Sequence, residues 1–278
     1  MSSSTPTPPP SSGGQGGQSG QAGQAGPGTS GGRVVFGVHP VEELLLARHR
    51  EVSVLYVAEG TRSPDIDRVV RLARDRAVPM EYRPRQLVAD LARAPAHQGL
   101  VAVTGEYRYA PLDELFAAAA AAQEPLLLLL LDGITDPHNF GALVRSAEVL
   151  GAHGVVISSR HAAPVTGTVV KASAGATERM RIAEVANLLR TIDGLREQGV
   201  RVLGAAASAD SPAAHQLDLR GPVALVVGAE GQGMREAVAR RCDGLFHIPQ
   251  RGTVASLNAS VAGAIALYEA ARQRLTSV

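Results

Sequence analysis

Fully apolar segments that alternate with helix-forming segments are the feature that most constrains how this chain can fold. In its second half, runs of strand length lie at 126–131, 154–158, 201–206 and 223–227, with weaker runs at 179–184 and 245–248. Segments with helical periodicity lie between or after them, at 139–150, 166–175, 187–198, 234–241 and 256–274. A strand that is apolar on both faces needs helices on each side of its sheet. The pattern therefore predicts an α/β fold with a mainly parallel sheet, whose ligand site lies at the carboxyl ends of the strands.

Composition divides the chain into four segments. Residues 1–32 carry no charge and few large apolar side chains, so we predict a disordered tail there. Residues 33–108 alternate short strands with helices, which predicts a small α/β domain with a mixed or parallel sheet. Segment 109–124 contains six successive alanines without an evident core face, and we predict a helical linker. The last predicted domain spans 125–278.

Charge and residue usage exclude several classes of protein. The net charge of +1 argues neither for nor against a nucleic-acid partner, and Lys171 is the one lysine beside 26 arginines. A single cysteine, Cys242, excludes an intrachain disulfide, and the histidine spacing matches no metal motif, so we predict no metal. No apolar run approaches the roughly 20 residues that span a bilayer. We therefore predict a cytoplasmic protein without membrane contact.

The turn after the first long apolar run lacks both glycine patterns that cradle phosphates. Asp136 and Pro137 predict a helix start, and Asn139 is either a cap or a site residue. Arg145 falls two turns into the helix among apolar neighbours. An arginine in such surroundings usually pairs with an acid or lies at an interface. A structural and a functional interpretation of Arg145 both stay open at this point.

Two further turns carry polar groups that a plain connection does not need. In the segment 228–233, GAEGQG, three glycines surround Glu230 and permit close approach of a ligand to the backbone. The other turn follows Ile248 and leads into a helix that we expect to begin near Ser256, a candidate N-cap. Asn258 needs a partner if it is buried. Small residues of this helix favour close packing against a neighbour: Ala259, Ser260, Ala262, Gly263, Ala264 and Ala266.

These three turns resemble the signature motifs of the SpoU (TrmH-type) RNA 2'-O-ribose methyltransferases of the SPOUT class. The matching segments are NFGALVRSA, VVGAEGQGM and IPQRGTVASLNASVAGAIALYEA. Two earlier segments, VFGVHPVEELL and HQGLVA, are similar to the bacterial RlmB group, which methylates a guanosine of the peptidyl-site loop of 23S rRNA. The resemblance implies a deep trefoil knot formed around 228–233 and 246–260. It also implies S-adenosylmethionine as cofactor, a homodimer, and an N-terminal ribosomal-protein-like RNA-binding domain.

The resemblance also implies roles for individual residues. Those implied in catalysis are Arg145, Asn139, Glu230, Ser256 and Asn258, and those implied in cofactor binding are Gly228, Ala229, Gly231, Ile248 and Leu257. A guanidinium keeps its proton near neutral pH, because its pKa is above about 12, and so it cannot accept another one as a base. We therefore expect Arg145, supplied by the opposite subunit, to grip a phosphate and stabilise the developing alkoxide, while a phosphate oxygen or water takes the proton. Asn139 is expected to orient Arg145, Glu230 to pair with it or position the ribose, and the small residues of the last helix to form the dimer seam.

Three alternatives accompany this interpretation. A transfer RNA ribose or another 23S nucleotide, including one that confers antibiotic resistance, would keep the chemistry and change the substrate. A non-catalytic RNA-binding assembly factor would keep only the binding. A dinucleotide-dependent oxidoreductase would need the glycine fingerprint and its acidic ribose ligand, which the sequence lacks at the expected spacing. Neither DNA nor a membrane is an expected partner.

Overall fold

Two β-sheets with their helices form the part of the protein that the computed structural model describes, namely residues 1, 32–94, 97–206, 210–253 and 256–275. Both sheets belong to one unit that spans residues 31–278. Apart from Met1 and Gly32, the segment predicted as a disordered tail lies outside the described residues. The division at 33–108, 109–124 and 125–278 stays a prediction.

The first sheet has four strands in the order β1-β4-β2-β3, with β4 antiparallel to β1 and β2, and β2 parallel to β3. It is therefore mixed. Its elements are β1 (Arg33–Phe36), α1 (Val38–Arg48), β2 (Val52–Ala58), α2 (Pro64–Asp75), β3 (Met80–Arg83), α3 (Arg85–Ala92) and β4 (Leu100–Thr104). Helix α3 was not predicted, because its eight residues are too short to show a helical period.

The second sheet has six strands, all parallel, in the order β10-β8-β9-β5-β6-β7. The predicted parallel sheet is confirmed. Its strands are β5 (Leu127–Asp132), β6 (Gly154–Ser158), β7 (Ile182–Val185), β8 (Arg201–Ala205), β9 (Val223–Gly228) and β10 (Gly244–Phe246). The helices are α4 (Leu112–Ala122), α5 (Pro137–Val149), α6 (Gly167–Ala172), α7 (Leu188–Glu197), α8 (Glu236–Ala239) and α9 (Ala259–Leu275).

The position of β5 in the sheet explains why its sequence is apolar from Leu127 to Leu131. Every residue from Leu127 to Asp132 is buried. Leu127, Leu129 and Leu131 belong to the core under α5, α6 and α9, whereas Leu128 and Leu130 belong to the core under α4, α7 and α8. Because successive strand side chains point to opposite faces, a strand covered on both sides needs an apolar residue at every position.

The helix predicted as a linker has a buried face. Leu115 and Ala119 of α4 are buried in the core on the α7 side of the second sheet. Gly154 of β6 has no side chain where the helix crosses it, and a Cβ there would lie 2.2 Å from Leu115 Cγ. The absence of an evident core face in the sequence was therefore misleading, because alanine fills a close helix–sheet contact as well as it fills a solvated face.

A buried ion pair connects the first sheet to the second half of the chain. Arg33, at the start of β1, donates from both terminal nitrogens to the carboxylate of Glu178, at 2.6 and 3.0 Å. Tyr107 donates to the carbonyl of Thr177 at 3.0 Å, and its ring lies about 5 Å from the guanidinium carbons of both Arg33 and Arg48. These contacts hold β1 and the segment after β4 against the turn Ala176–Glu178.

Candidate active site

The first polar turn places Asn139 at the carboxyl end of β5 with its side chain available. Asp136 is the N-cap of α5, because its carboxylate accepts from the backbone amides of His138 and Asn139 at 3.2 and 3.0 Å. Pro137 occupies the first helical turn, where its missing N–H costs nothing. Asn139 is thus not the cap of its helix, and its amide group points elsewhere.

The glycine-rich loop after β9 folds back tightly over the strand end. Gly233 donates its amide to the carbonyl of Ala229 at 2.8 Å. A Cβ on Gly228 would lie 2.1 Å from the backbone nitrogen of Met234, so only glycine fits there. Gly231 and Gly233 adopt φ angles of 77° and 69°, which favour glycine. The three glycines therefore shape one compact loop that presents Glu230.

A buried carboxylate anchors this loop to the neighbouring strand. Asp132, the last residue of β5, has a fully buried side chain and accepts from the backbone amide of Arg235 at 2.8 Å and from its Nε at 2.7 Å. The loop 229–234 lies between two fixed points, the end of β9 and Arg235. Glu230 is consequently held beside the turn that carries Asn139.

The third turn starts α9 at Asn258 and not at Ser256. The Oδ1 atom of Asn258 accepts from the backbone amides of Ser260 and Val261 at 2.9 and 3.4 Å, which makes Asn258 the N-cap. Ser256 is exposed and precedes the helix by three residues. The expectation that Ser256 caps the helix was wrong, since an asparagine nearer the first turn takes that position.

One polar cluster joins the three turns. Asn139 Nδ2 donates to Glu230 Oε2 at 3.1 Å, and Asn258 Nδ2 donates to the same oxygen at 3.2 Å and to Asn139 Oδ1 at 2.9 Å. Three residues separated by 91 and 28 positions in the chain therefore share one network. Both asparagines are half-buried and Glu230 is exposed, so the network lies at the surface of the sheet's carboxyl edge.

A cavity of about 320 Å³ opens beside this cluster. Predicted residues that line it are Gly228, Ala229, Glu230, Gly231, Ile248, Ser256 and Leu257. Residues that the sequence analysis did not single out for the site also line it: Ala205, Ala206, Val227, Gln232, Gly233, Met234, Ala239, Gln250, Ala259 and Ala262. Ala205 ends β8, so the rule that ligands gather at strand ends could have identified it.

Arg145 lies apart from this cluster in the protomer. It is exposed on α5 and makes no hydrogen bond or ion pair with any residue in the described ranges. Six residues separate it from Asn139, which on an α-helix is about 240° of rotation, so the two side chains leave different faces. Within one protomer Asn139 does not orient Arg145 and Glu230 does not pair with it. In the single chain Glu230 is engaged by the two asparagines. The roles expected of Asn139 and Glu230 towards Arg145 stay predictions, because that arginine is expected from the opposite subunit.

Three small residues of α9 pack inside the protomer. Gly263, Ala266 and Ala270 are buried, and a Cβ on Gly263 would lie 2.3 Å from a methyl carbon of Leu143 on α5. Ser260, Ala262 and Ala264 are half-buried, and the seam between subunits stays a prediction. The outward face of α9 carries larger apolar side chains at helical spacing, Val261, Ile265 and Tyr268.

Comparison with known proteins shows which family the chain matches. The SpoU rRNA Methylase family model matches residues 126–268, and the model for RNA 2'-O ribose methyltransferase substrate binding matches residues 34–110. The chain is 41% identical to YacO of Bacillus subtilis, named as a TrmH family protein, over 86% of the chain and 95% of YacO. It is 39% identical to the 23S rRNA (guanosine-2'-O-)-methyltransferase RlmB of Pseudomonas aeruginosa, over 86% of the chain and 96% of that protein.

The chain belongs to the SpoU rRNA methylase family. The solved structure of the SpoU methyltransferase AviRb from Streptomyces viridochromogenes, in complex with AdoMet, superposes with a TM-score of 0.73 and 28% identity, covering 88% of this chain and 92% of AviRb. The fold and the predicted methyltransferase class are confirmed. The protein is an RNA 2'-O-methyltransferase that uses S-adenosylmethionine.

The described residues contain no group of three or more metal-ligating side chains. In the same part of the chain, no helix combines the length and the apolar character that crossing a bilayer requires.

Proposed function

We propose that this SpoU-family protein methylates the 2'-hydroxyl of a ribose in 23S rRNA, the guanosine of the peptidyl-site loop being its target, in the cytoplasm. The observation that carries the site assignment is the network of Asn139, Glu230 and Asn258 at the mouth of the cavity. The substrate assignment is supported by RlmB as a relative and by the match of residues 34–110 to a substrate-binding model.

The cavity suits S-adenosylmethionine. Its volume lies within the usual range for ligand pockets, which begins at roughly 300 Å³. Val227, Ile248, Leu257 and Ala262 provide apolar walls for an adenine ring, and Glu230 provides a carboxylate near the positively charged sulfonium. We assign the backbone of Gly228, Ala229, Gly231, Ile248 and Leu257 to the cofactor. The bound cofactor supplies an electrophilic methyl group, and the knotted threading around it stays a prediction.

Methyl transfer requires the ribose oxygen to lie in line with the methyl group and to lose its proton. The oxygen forms a bond to the methyl carbon as the carbon–sulfur bond breaks, and the proton passes to a phosphate oxygen or to water. In the protein, Glu230 Oε2 is occupied by the two asparagine amides, which leaves Oε1 to accept from and orient the ribose hydroxyl. Ser256 lines the cavity beside it. Arg145 would bind the adjacent phosphate and stabilise the developing alkoxide.

A second copy of the chain would bring Arg145 to this site. Arg145 and Val149 share one exposed face of α5, and the neighbouring α9 exposes Val261, Ile265 and Tyr268. Val149 and Tyr268 are 70% and 58% exposed, which is unusual for large apolar side chains unless a partner covers them. A twofold dimer through these two helices would be self-complementary. This dimer would bury the exposed apolar side chains of α5 and α9. It would also place the Arg145 of each subunit at the active site of the other subunit.

A heterodimer tests the shared site. Arg145→Ala and Glu230→Gln chains, carrying different tags, are co-expressed and the mixed dimer is purified. If Arg145 serves the opposite subunit, one of the two sites is complete and the mixed dimer keeps about half of the wild-type rate. If Arg145 serves its own subunit, neither site is complete and the mixed dimer is inactive. The Arg145→Ala homodimer should bind S-adenosylmethionine in calorimetry, and neither homodimer should transfer a methyl group.

The substrate is tested by incubating the protein with tritiated S-adenosylmethionine and unmodified 23S rRNA, and mapping the label. Label on the peptidyl-site-loop guanosine supports the full proposal. Label on another 23S ribose, or on transfer RNA offered in parallel, keeps the chemistry and rejects the target. Cofactor binding without any label on either RNA would favour the non-catalytic assembly factor.

A further inference from the structure

Two segments of the N-terminal half, VFGVHP and HQGLVA, meet at one junction in the structure. Gln98 Oε1 accepts from the backbone amide of Val38, the first residue of α1, at 3.0 Å. Gly99 has a φ of 84° and packs against Thr61, the nearest contact of a Cβ there being 3.0 Å. The start of α1, the loop before β4 and the loop after β2 therefore meet at one junction, at which Gln98 is exposed.

His97 lies buried at the centre of this junction and is held neutral. Its Nδ1 accepts from the backbone amide of Gly99 at 3.1 Å, which requires an unprotonated nitrogen. Burial lowers the pKa of His97, and the positive charges of Arg85 and Lys171 lower it further. Arg85 and Lys171 therefore both lie close enough to His97 for their charges to act on it.

The two cations come from different halves of the chain. Arg85 begins α3, is exposed, and reaches Thr61 Oγ1 at 3.4 Å. Lys171, the one lysine of the protein, belongs to α6, and its Nζ lies 5.1 Å from the ring centre of Phe36 at the end of β1. The aromatic ring holds the ammonium over the first sheet.

Helix α6 also connects this surface to the active site. A Cβ on Gly141 would lie 2.5 Å from Ala172 and 2.8 Å from the carbonyl of Val169, so α6 packs tightly on α5 two residues after Asn139. Lys171 therefore lies between α5, which carries Asn139, and the first sheet, on which it contacts Phe36.

We propose that Arg85, Lys171 and the loop of Gln98 form a docking surface for the phosphate backbone of the substrate RNA, bridging the first sheet and the methyltransferase half. The proposal rests on the proposed function and adds to it which residues of this chain meet the substrate. Two cations at a junction that includes backbone and amide groups match a phosphodiester strand, which is recognised by charge and hydrogen bonding along its length. The contacts would direct RNA across α6 towards Asn139.

The test measures binding of full-length protein to unmodified 23S rRNA over a series of salt concentrations. Lys171→Ala and Arg85→Ala should each weaken binding about tenfold and reduce the salt slope by about one, as expected for the loss of one phosphate contact. Lys171→Arg should keep the wild-type slope. Arg220→Ala serves as the matched control, because Arg220 is exposed just before β9, where the strands begin.

The outcomes separate this proposal from the proposed function. Wild-type affinity and slope in both alanine variants would overturn the docking surface, whatever the wild-type enzyme methylates. Failure of the wild-type protein to label any 23S ribose would overturn the proposed target, while a reduced slope in the two variants would still support the surface. Cofactor affinity should be equal in all variants, and a loss there would assign these residues a structural role instead.

Discussion

Two arginines of this protein occupy opposite environments. Arg33 is 7% exposed, and both of its terminal nitrogens bind Glu178, which is 3% exposed. Arg145 is exposed and pairs with no acid among the described residues. The sequence suggests the reverse, because Arg145 lies among apolar helical neighbours whereas Arg33 follows a polar, glycine-rich tail.

The different environments of Arg33 and Arg145 indicate different roles for the two residues. Arg33 joins the first sheet to the turn Ala176–Glu178, and its charge is paired within the chain, so it is structural. Arg145 pairs with no acid among the described residues of its own protomer, and it lies beside exposed apolar side chains on α5 and α9. An unpaired arginine next to an apolar face is suited to a site that is completed by another molecule.

The largest expected effect comes from breaking the structural pair. Glu178→Gln leaves the Arg33 guanidinium buried without its countercharge, and we expect the free energy of unfolding to fall by about 3–5 kcal/mol. Denaturant titration of the full chain measures it. Glu42→Gln, which breaks the more exposed pair of Glu42 with Arg68, should cost only about 0–1 kcal/mol.

A double replacement sharpens this prediction. Arg33→Met combined with Glu178→Met removes both charges together, and stability should recover most of the loss seen for Glu178→Gln. If the double variant is as unstable as Glu178→Gln, the ion pair itself stabilises the fold and apolar side chains cannot replace it.

An intermediate effect is expected at the polar cluster of the active site. Asn258→Ala removes the N-cap of α9, and we expect a loss of about 1 kcal/mol in unfolding free energy. Ser256→Ala is the matched control and should change stability by less than about 0.5 kcal/mol, since Ser256 is exposed and caps nothing. Equal losses in the two variants would contradict the assignment of the cap.

Acid should produce the smallest effect, through His97. Its pKa is lowered in the folded protein, so between that value and the unfolded value near 6.5 the unfolded chain binds more protons. The contribution of neutral His97 is therefore complete above pH 6.5 and is lost as the pH falls below it. His97→Asn should show a flatter decline of unfolding free energy from pH 7 to 5 than the wild type. The unfolding free energy of His39→Asn, a change at an exposed histidine, should decline from pH 7 to 5 as in the wild type. A steeper decline in His97→Asn than in the wild type would contradict the predicted direction of the His97 effect.

Sequence and structure agree where local pattern suffices. The parallel sheet followed from strands that are apolar at every position. Gly228 and Glu230 line the cavity in a turn that the sequence singled out after a strand, whereas Ile248 and Leu257, which also line it, were assigned to the cofactor from the family resemblance. Helix α3 and the buried face of α4 were missed, because eight residues show no period and alanine does not distinguish core from solvent. The cap of α9 was placed at Ser256 because serine and asparagine are equally good caps by type.

The sequence by itself determined the fold class, the family and the three turns that carry the polar residues, since these depend on short-range patterns of apolar and special residues. Only the tertiary structure decided which groups meet. It joined Asn139, Glu230 and Asn258, paired Arg33 with Glu178 across 145 positions, and turned Gly263 and Ala266 of α9 inwards. Partners distant in the chain are selected by the packing of sheets and helices, and a side chain's local neighbours do not reveal them.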